Sequence, residues 1–234
     1  MRSDLRKLLT IALVSLLAPM LGAQARAADA QHDGLAEQLH RAAPALDASV
    51  LSLALRAVKC AQRTDQVEPP RTLTVIDYSL PSTKPRLWVL DLERRSLVYE
   101  ELVAHGQGSG EDRATDFSNE EGSHKSSLGL FVTLDTYRGK HGHSLRLRGL
   151  EPGVNDRATE RAIVIHGADY VSRAFATEHG RLGRSHGCPA LTQAAAPRVI
   201  DRIAGGSPVF AYYPDASWLE GSRFLGRCDE AVGE

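Results

Sequence analysis

Neither sign of charge dominates this sequence: 28 Lys and Arg face 29 Asp and Glu, a formal net charge of -1. That balance excludes a polybasic nucleic-acid binder on bulk electrostatics, so no nucleic-acid partner is expected. Aromatic residues are few, 6% of the chain, yet 42% of its 234 residues are hydrophobic. This is enough for one compact domain with appendages and too much for wholesale disorder. There is no internal repeat and no low-complexity segment. Beyond the N-terminus no stretch is apolar enough to span a bilayer. No H-E-x-x-H or C-x-x-C occurs, and Gly106-x-Gly108-x-Gly110 leads into neither a Lys-Ser/Thr pair nor a helical pattern. The zinc-protease and phosphate-loop readings therefore fall away, and no cofactor is expected.

Cysteine is scarce as well: Cys60, Cys188 and Cys228 are the only three. The N-terminus gives that number meaning. Arg2, Arg6 and Lys7 form a basic region, Leu8 to Leu21 is apolar, and Ala23, Ala25 and Ala27 offer small-x-small cleavage sites. Residues 1–27 read as a secretory signal peptide, which implies a periplasmic protein. That leader holds four basic residues and one acidic one, so its removal takes the net charge from -1 to about -4. An oxidising compartment pairs thiols, and an odd count leaves at least one free in a monomer.

Residues 28–70 read as a helical extension and linker. Leu35 and Leu39, then Leu46, Val50, Leu53, Ala54, Ala57 and Val58, recur at helical spacing, and Asp47 stands where a cap is needed after Pro44. Two helices packed on the main domain, or a partner-binding arm, both fit this pattern. Past the linker from Gln66 to Pro70 the period becomes strand-like. Leu73–Ile76, Leu87–Leu92, Leu97–Val103, Leu128–Leu134, Ser144–Leu150, Ala162–Ile165 and Val209–Tyr213 are short runs rich in β-branched and aromatic residues. They predict a mainly β domain over residues 71–214, an antiparallel sandwich or barrel with minor helix. One helix is predicted from about Ala194 to Ile203, closed by Gly205 and Gly206, and residues 215–234 read as a C-terminal tail.

Chemistry concentrates in Arg184-Ser185-His186-Gly187-Cys188-Pro189, where a cysteine stands between a glycine and a proline. Gly187 permits close backbone approach, and the amides around Gly187 and Cys188 are candidate oxyanion donors. Upstream, the apolar run Ala162-Ile163-Val164-Ile165 ends on His166-Gly167. Cysteine and histidine together suffice for acyl transfer, the imidazole taking the thiol proton and the thiolate attacking a carbonyl. In Tyr137-Arg-Gly-Lys-His141-Gly-His143 the histidines read as solvated loop residues, a substrate-facing flap or, with Tyr137, metal ligands.

These residues resemble the active-site signature of the YkuD-type L,D-transpeptidases of bacterial cell walls: Ser185-His186-Gly187-Cys188 preceded by His166 at a strand end. Further segments resemble the murein L,D-transpeptidase branch: Val103-Ala-His-Gly106 with Gly108-Ser-Gly110, Phe117-Ser-Asn119, Ser126-Ser-Leu-Gly129, His166-Gly-Ala-Asp-Tyr-Val171 and Gly180-Arg-Leu-Gly-Arg-Ser185. The likeness runs from about Leu73 to Tyr213. It implies a YkuD-like β-rich catalytic fold acting on peptidoglycan stem peptides. Cys188 is then the nucleophile that cuts after the third stem residue with release of D-alanine, and a second stem or a lipoprotein is the amine acceptor. His166 is the base, the carbonyl of Gly167 holds its tautomer, and Ser185, His186 and Gly187 shape the pocket and oxyanion site; Tyr137, from the flap reading, is a further candidate for substrate contact. Many members carry a basic or amide residue two or three positions after the cysteine; here Pro189-Ala190-Leu191 follows, and Arg184 becomes the candidate for that charge. Cys188 is expected to be a low-pKa thiol, to take up one carbapenem-type β-lactam, and to leave Cys60 and Cys228 to pair. No Ser-x-x-Lys motif offers a serine alternative. Hydrolysis of the same acyl-enzyme, an L,D-carboxypeptidase, and a non-catalytic wall-binding module are the alternatives. A loop from Asp135 to Gly153 is the expected lid favouring transfer over hydrolysis.

Overall fold

A computed structural model of the chain describes residues 34–226 and residue 228. The expected signal peptide, residues 1–27, lies outside the described residues. Among those described, no helix is long and apolar enough to cross a membrane. Residues 34–42 form α1. After it, Asp47 caps α2 (Ala48–Arg63), its carboxylate accepting from the backbone N–H of Ser49 and Val50. Val50, Leu51, Ala54, Leu55, Val58 and Ala61 line the buried face of α2, so its apolar stripe packs on the domain that follows.

That domain is one nine-stranded sheet. Its strands are β1 (Thr72–Asp77), β2 (Leu87–Asp91), β3 (Ser96–Glu101), β4 (Val103–Ala104), β5 (Gly129–Gly139), β6 (Gly142–Gly149), β7 (Val164–Gly167), β8 (Ala190–Leu191) and β9 (Pro208–Tyr212), in the order β3-β2-β1-β9-β5-β6-β7-β8-β4. Pairings are antiparallel except β1 with β9 and β7 with β8. The two outermost strands, β3 and β4, are separated in sequence by Leu102 alone, so the chain itself bridges the edges and the sheet nearly closes. The fold is mainly β with minor α. Each of the seven strand-like runs overlaps an observed strand, with the ends displaced by up to several residues; β4 and β8, at two residues each, are too short to show a period. The helix at the expected place is α4 (Ala196–Ile203), which lays Val199, Ile200 and Ile203 into the core and stops before Gly205 and Gly206, both left-handed. Two helices had no strong sequence signal: α3 (Arg173–His179), which buries nothing, and α5 (Ala216–Gly221).

Arg86 holds the seam. Its backbone N–H donates to Glu101 C=O and its guanidinium to Val103 C=O, so one residue binds both sides of the gap. The guanidinium is fully buried, 5.3 Å from the Tyr78 ring centroid, and donates from Nη2 to His105 Nδ1 at 2.8 Å. Burial lowers the Arg86 pKa to about 10, which still leaves it protonated at neutral pH. His105 must then be neutral, with its proton on Nε2 facing Gly110 C=O. Burial first, then the charge of Arg86, pushes the His105 pKa from 6.5 down to about 4.

This gives an expected acid weakness. An unfolded imidazole takes up its proton near pH 6.5, whereas the buried ring resists until about pH 4, so acid favours the unfolded chain. The His105 contribution is complete above pH 6.5 and lost as pH falls through that window, about 3 kcal/mol in all at roughly 1.4 kcal/mol per unit. Urea denaturation at pH 7 and pH 4.5 should show the loss, and His105→Asn should reduce it. A wild-type free energy equal at both pH values would refute the assignment.

Candidate active site

The parallel pairing of β7 with β8 aligns His166 with Ala190 and Gly167 with Leu191. Cys188, two residues before Ala190, therefore falls level with Val164. The Val164 N–H donates to Cys188 Sγ at 3.5 Å, and the thiol in turn reaches Ala162 C=O at 3.7 Å. Cys188 is half-buried and is a free thiol, whereas Cys60 and Cys228 are joined in a disulfide with Cα atoms 5.5 Å apart. His166 Nδ1 lies 2.9 Å from Gly167 C=O. A carbonyl only accepts, so Nδ1 carries the proton and Nε2 of the neutral ring is the free base. Among the described residues no hydrogen bond joins Sγ to the His166 ring, although both border one cavity of about 650 Å³.

The turn before the cysteine is tied from within. Ser185 Oγ donates to Cys188 C=O at 2.7 Å and accepts from the Gly187 N–H at 3.1 Å. Ser126 Oγ donates to Gly187 C=O at 3.2 Å. Gly187 has φ +119, and a Cβ there would lie 2.8 Å from Lys125 O and 2.9 Å from Ile163 Cδ1, so only glycine fits. These contacts correct the expectation that the Gly187 amide serves an oxyanion: Ser185 already occupies it. Ser185 is likewise engaged within the turn. No hydrogen bond among the described residues uses the Cys188 N–H, which leaves that amide as the available donor.

His186 borders the cavity and stacks on His124 with centroids 4.1 Å apart. Arg184 also borders it, but its guanidinium donates to Gly110 C=O at 2.7 Å and pairs with Glu111 at 2.8 Å, so its charge is already answered. The expected lid is no loop. Residues 129–149 form the β5–β6 hairpin, bulged between Thr133 and Thr136, with Lys140 and His141 at its tip and Gly142 at φ +74. Tyr137 lines the cavity with the Arg146 guanidinium 4.3 Å from its ring centroid. His141 stacks on His166 at 4.4 Å, whereas His143 hydrogen-bonds Asp201 on α4 at 2.8 Å, so the two histidines go to different partners.

Burial pushes the Cys188 thiol above its ordinary value, opposed in part by the Val164 N–H and by Arg161 and Lys140. Burial pushes the His166 imidazole down, opposed by Gly167 C=O and reinforced by His141 and Lys140. Both shifts favour the uncharged forms. Both directions run against the low-pKa thiol expected from the sequence, since burial penalises the charged form of each group. Sequence reasoning also missed Arg161 and Tyr170, which line the cavity from the 151–162 turn and the segment after β7. The Tyr170 hydroxyl is raised to about 12, chiefly by burial. Among the described residues the cavity wall carries Lys140 and Arg161 beside the already paired Arg184, and no Asp or Glu, so it suits a ligand bearing carboxylates.

A family model described as the L,D-transpeptidase catalytic domain matches residues 42–212. Among solved structures, an L,D-transpeptidase from Mycobacterium smegmatis is similar at 15% identity and TM-score 0.38, covering 61% of this chain and 59% of its own. An L,D-transpeptidase from Mycobacterium tuberculosis is similar at 19% identity and TM-score 0.34, over 62% of this chain and 58% of its own. The helical cell shape determining protein Pgp2 from Campylobacter jejuni is similar at 13% identity and TM-score 0.42, over 64% and 49%. The chain thus spans about half to three fifths of the length of these structures. No curated protein matches it.

Proposed function

The chain belongs to the L,D-transpeptidase catalytic domain family, matched over residues 42–212, and from that premise we propose that it is an exported cysteine acyltransferase acting on peptidoglycan stem peptides. The observation that carries the reading is the β7–β8 register, which brings Cys188 Sγ and a His166 ring with a free Nε2 into one cationic cavity. His166 Nε2 takes the thiol proton as Sγ attacks the carbonyl of the third stem residue. The Cys188 N–H faces the oxygen that gains the electron pair. As the C–N bond breaks, His166 returns its proton to the departing D-alanine amine, leaving a thioester on Cys188. An incoming amine then attacks the thioester, gives up a proton to Nε2 and releases the thiol. Lys140 and Arg161 attract the stem carboxylates.

Water at about 55 M competes for the thioester, and an amine prevails only where the site orients it. The β5–β6 hairpin tip, with His141 stacked on the base, supports a covered site and hence transfer over hydrolysis. Export to the periplasm is supported by the leader-like residues 1–27 and by the Cys60–Cys228 disulfide, which suits an oxidising compartment. Incubating the full chain with a tetrapeptide muropeptide and weighing the products tests the reading. Dimers lacking one D-alanine are expected. Tripeptide monomers alone would make the protein an L,D-carboxypeptidase, and unchanged donor would remove the activity altogether.

A further inference from the structure

The turns between Glu151 and Ile163 end in a strained reversal. Ala162 adopts φ +53, a left-handed conformation that costs an L-residue about 1–2 kcal/mol. Backbone bonds from Ala162 to Thr159 and from Ile163 to Ala158 hold it there. The same residue presents its C=O to Cys188 Sγ at 3.7 Å. Strain of this kind persists where the surroundings over-determine it, commonly beside a functional group. Its neighbour Arg161 is the second consequence of that reversal.

The Arg161 guanidinium donates from Nη1 to Ser118 C=O at 2.7 Å and Ser127 Oγ at 2.6 Å, and from Nη2 to Lys125 C=O at 2.6 Å and Ser123 Oγ at 3.4 Å. Every acceptor is neutral. The other arginines around the site are answered by carboxylates: Arg184 and Arg181 by Glu111, Arg157 by Glu121 and Glu160, Arg146 by Asp135. Arg161 has no such ion pair among the described residues, and it is half-buried. A Cβ built on Gly187 would stand 3.4 Å from Arg161 Nη2, so the fork lies against the peptide that carries Cys188. A guanidinium held by four donations and left without a counter-ion is costly at rest and gains most when a negative charge forms beside it. Arg161 and Cys188 do act on each other's titration, each favouring the other's charged form.

We propose that Arg161 is a positioning residue whose fixed charge stabilises the Cys188 thiolate as it forms, the 118–127 segment serving to aim the fork. Arg184, its charge already paired with Glu111, does not share this role. The inference rests on the reading of Cys188 as the nucleophile. Other groups facing the thiol are Lys140 and His141 on the hairpin tip, His166 on β7, Tyr170 and His186.

The test is the pH dependence of Cys188 alkylation by iodoacetamide in the full, disulfide-bonded chain, where Cys188 is the free thiol. Arg161→Gln should move the profile upward and slow alkylation at pH 7 about tenfold, the size of one pKa unit. Arg161→Lys keeps a charge and should stay within about threefold of wild type. Ser127→Ala, which removes one of the four acceptors and leaves the charge and the other three donations in place, reports what a purely structural role would do and should leave the profile in place. If Arg161→Gln does not fold, Arg161→His, neutral above its own titration, replaces it. A neutral variant whose profile superposes on wild type overturns the proposal. Wild type that forms no adduct with a carbapenem at Cys188 overturns the nucleophile reading and this inference with it, whereas an adduct alongside superposed profiles defeats Arg161 alone.

Discussion

Replacing Cys188 by alanine should reduce both carbapenem adduct formation and muropeptide turnover at least about a thousandfold, with little change in melting temperature. The chemical effect follows from the proposed role of Cys188 as nucleophile: Cys60 and Cys228 are joined in a disulfide, and the loss of a nucleophile is not compensated by the remaining members of a catalytic unit. The structural effect is small because the Sγ contacts, 3.5 Å from the Val164 N–H and 3.7 Å to Ala162 C=O, are weak. Intact mass with a carbapenem decides the case: an adduct on both wild type and Cys188→Ala would put the reactive group elsewhere. The pH profile follows from the two shifts. Burial keeps His166 neutral to below its ordinary 6.5 and keeps the thiol protonated to above 9.0, so the base is free and the proton is in place across the neutral range. Wild-type kcat/KM should therefore hold level through pH 7 and fall only below pH 6.5, as His166 takes up a proton. A fall already complete at pH 7 would mean that the imidazole is not shielded in this way.

Glu151→Ala should lower stability by about 3–5 kcal/mol in urea denaturation. Glu151 follows directly from the β6 end through Leu150 and is buried, with only 2% of its surface exposed. Its carboxyl oxygens accept from the Leu130 N–H on β5 at 2.8 Å, from Trp218 Nε1 on α5 at 3.2 Å and from Ser222 Oγ at 2.6 Å. Truncation strands three buried donors at once, each with a desolvation penalty of roughly 1–3 kcal/mol, and it unfastens α5 from the sheet. Glu151→Gln, which keeps the shape and most acceptor capacity, should lose less than half as much. A loss under 1 kcal/mol for the alanine variant would show that the three donors find water or new partners. Because Ser222 leads toward Cys228, the variant also separates the contribution of this node from that of the disulfide to Cys60 when both are measured under reducing conditions.

The strands that became visible in the sequence are those whose β-branched runs are long enough to repeat: Leu73–Ile76, Leu87–Leu92 and Ala162–Ile165 sit within or beside fully buried strands. β4 and β8 were not visible, since two residues carry no period, and their strand character comes from pairing with each other and, for β8, with β7. The hairpin tip reads as loop in the sequence because Tyr137-Arg-Gly-Lys-His-Gly-His is polar on both faces; only the bulge and the partner strand make it β. α3 escaped because it buries no side chain and so shows no amphipathic face.

What the sequence determined by itself was local: an apolar strand ending in His166-Gly167, a cysteine set between Gly187 and Pro189, motifs in a fixed order, and an unpaired thiol count. These are legible because they are written in adjacent residues. What only the tertiary structure decided was which polar groups meet: Ser185 taking the Gly187 amide, Glu111 answering Arg184, Glu151 gathering donors from three segments, and Arg161 reaching the Cys188 cavity with neutral acceptors and no ion pair among the described residues. The physical reason is that hydrogen bonds and charges act over a few ångströms in space, while these partners lie tens of residues apart along the chain. Burial, which favours the uncharged forms of Cys188 and His166, likewise belongs to the nearly closed sheet and to no single segment of it.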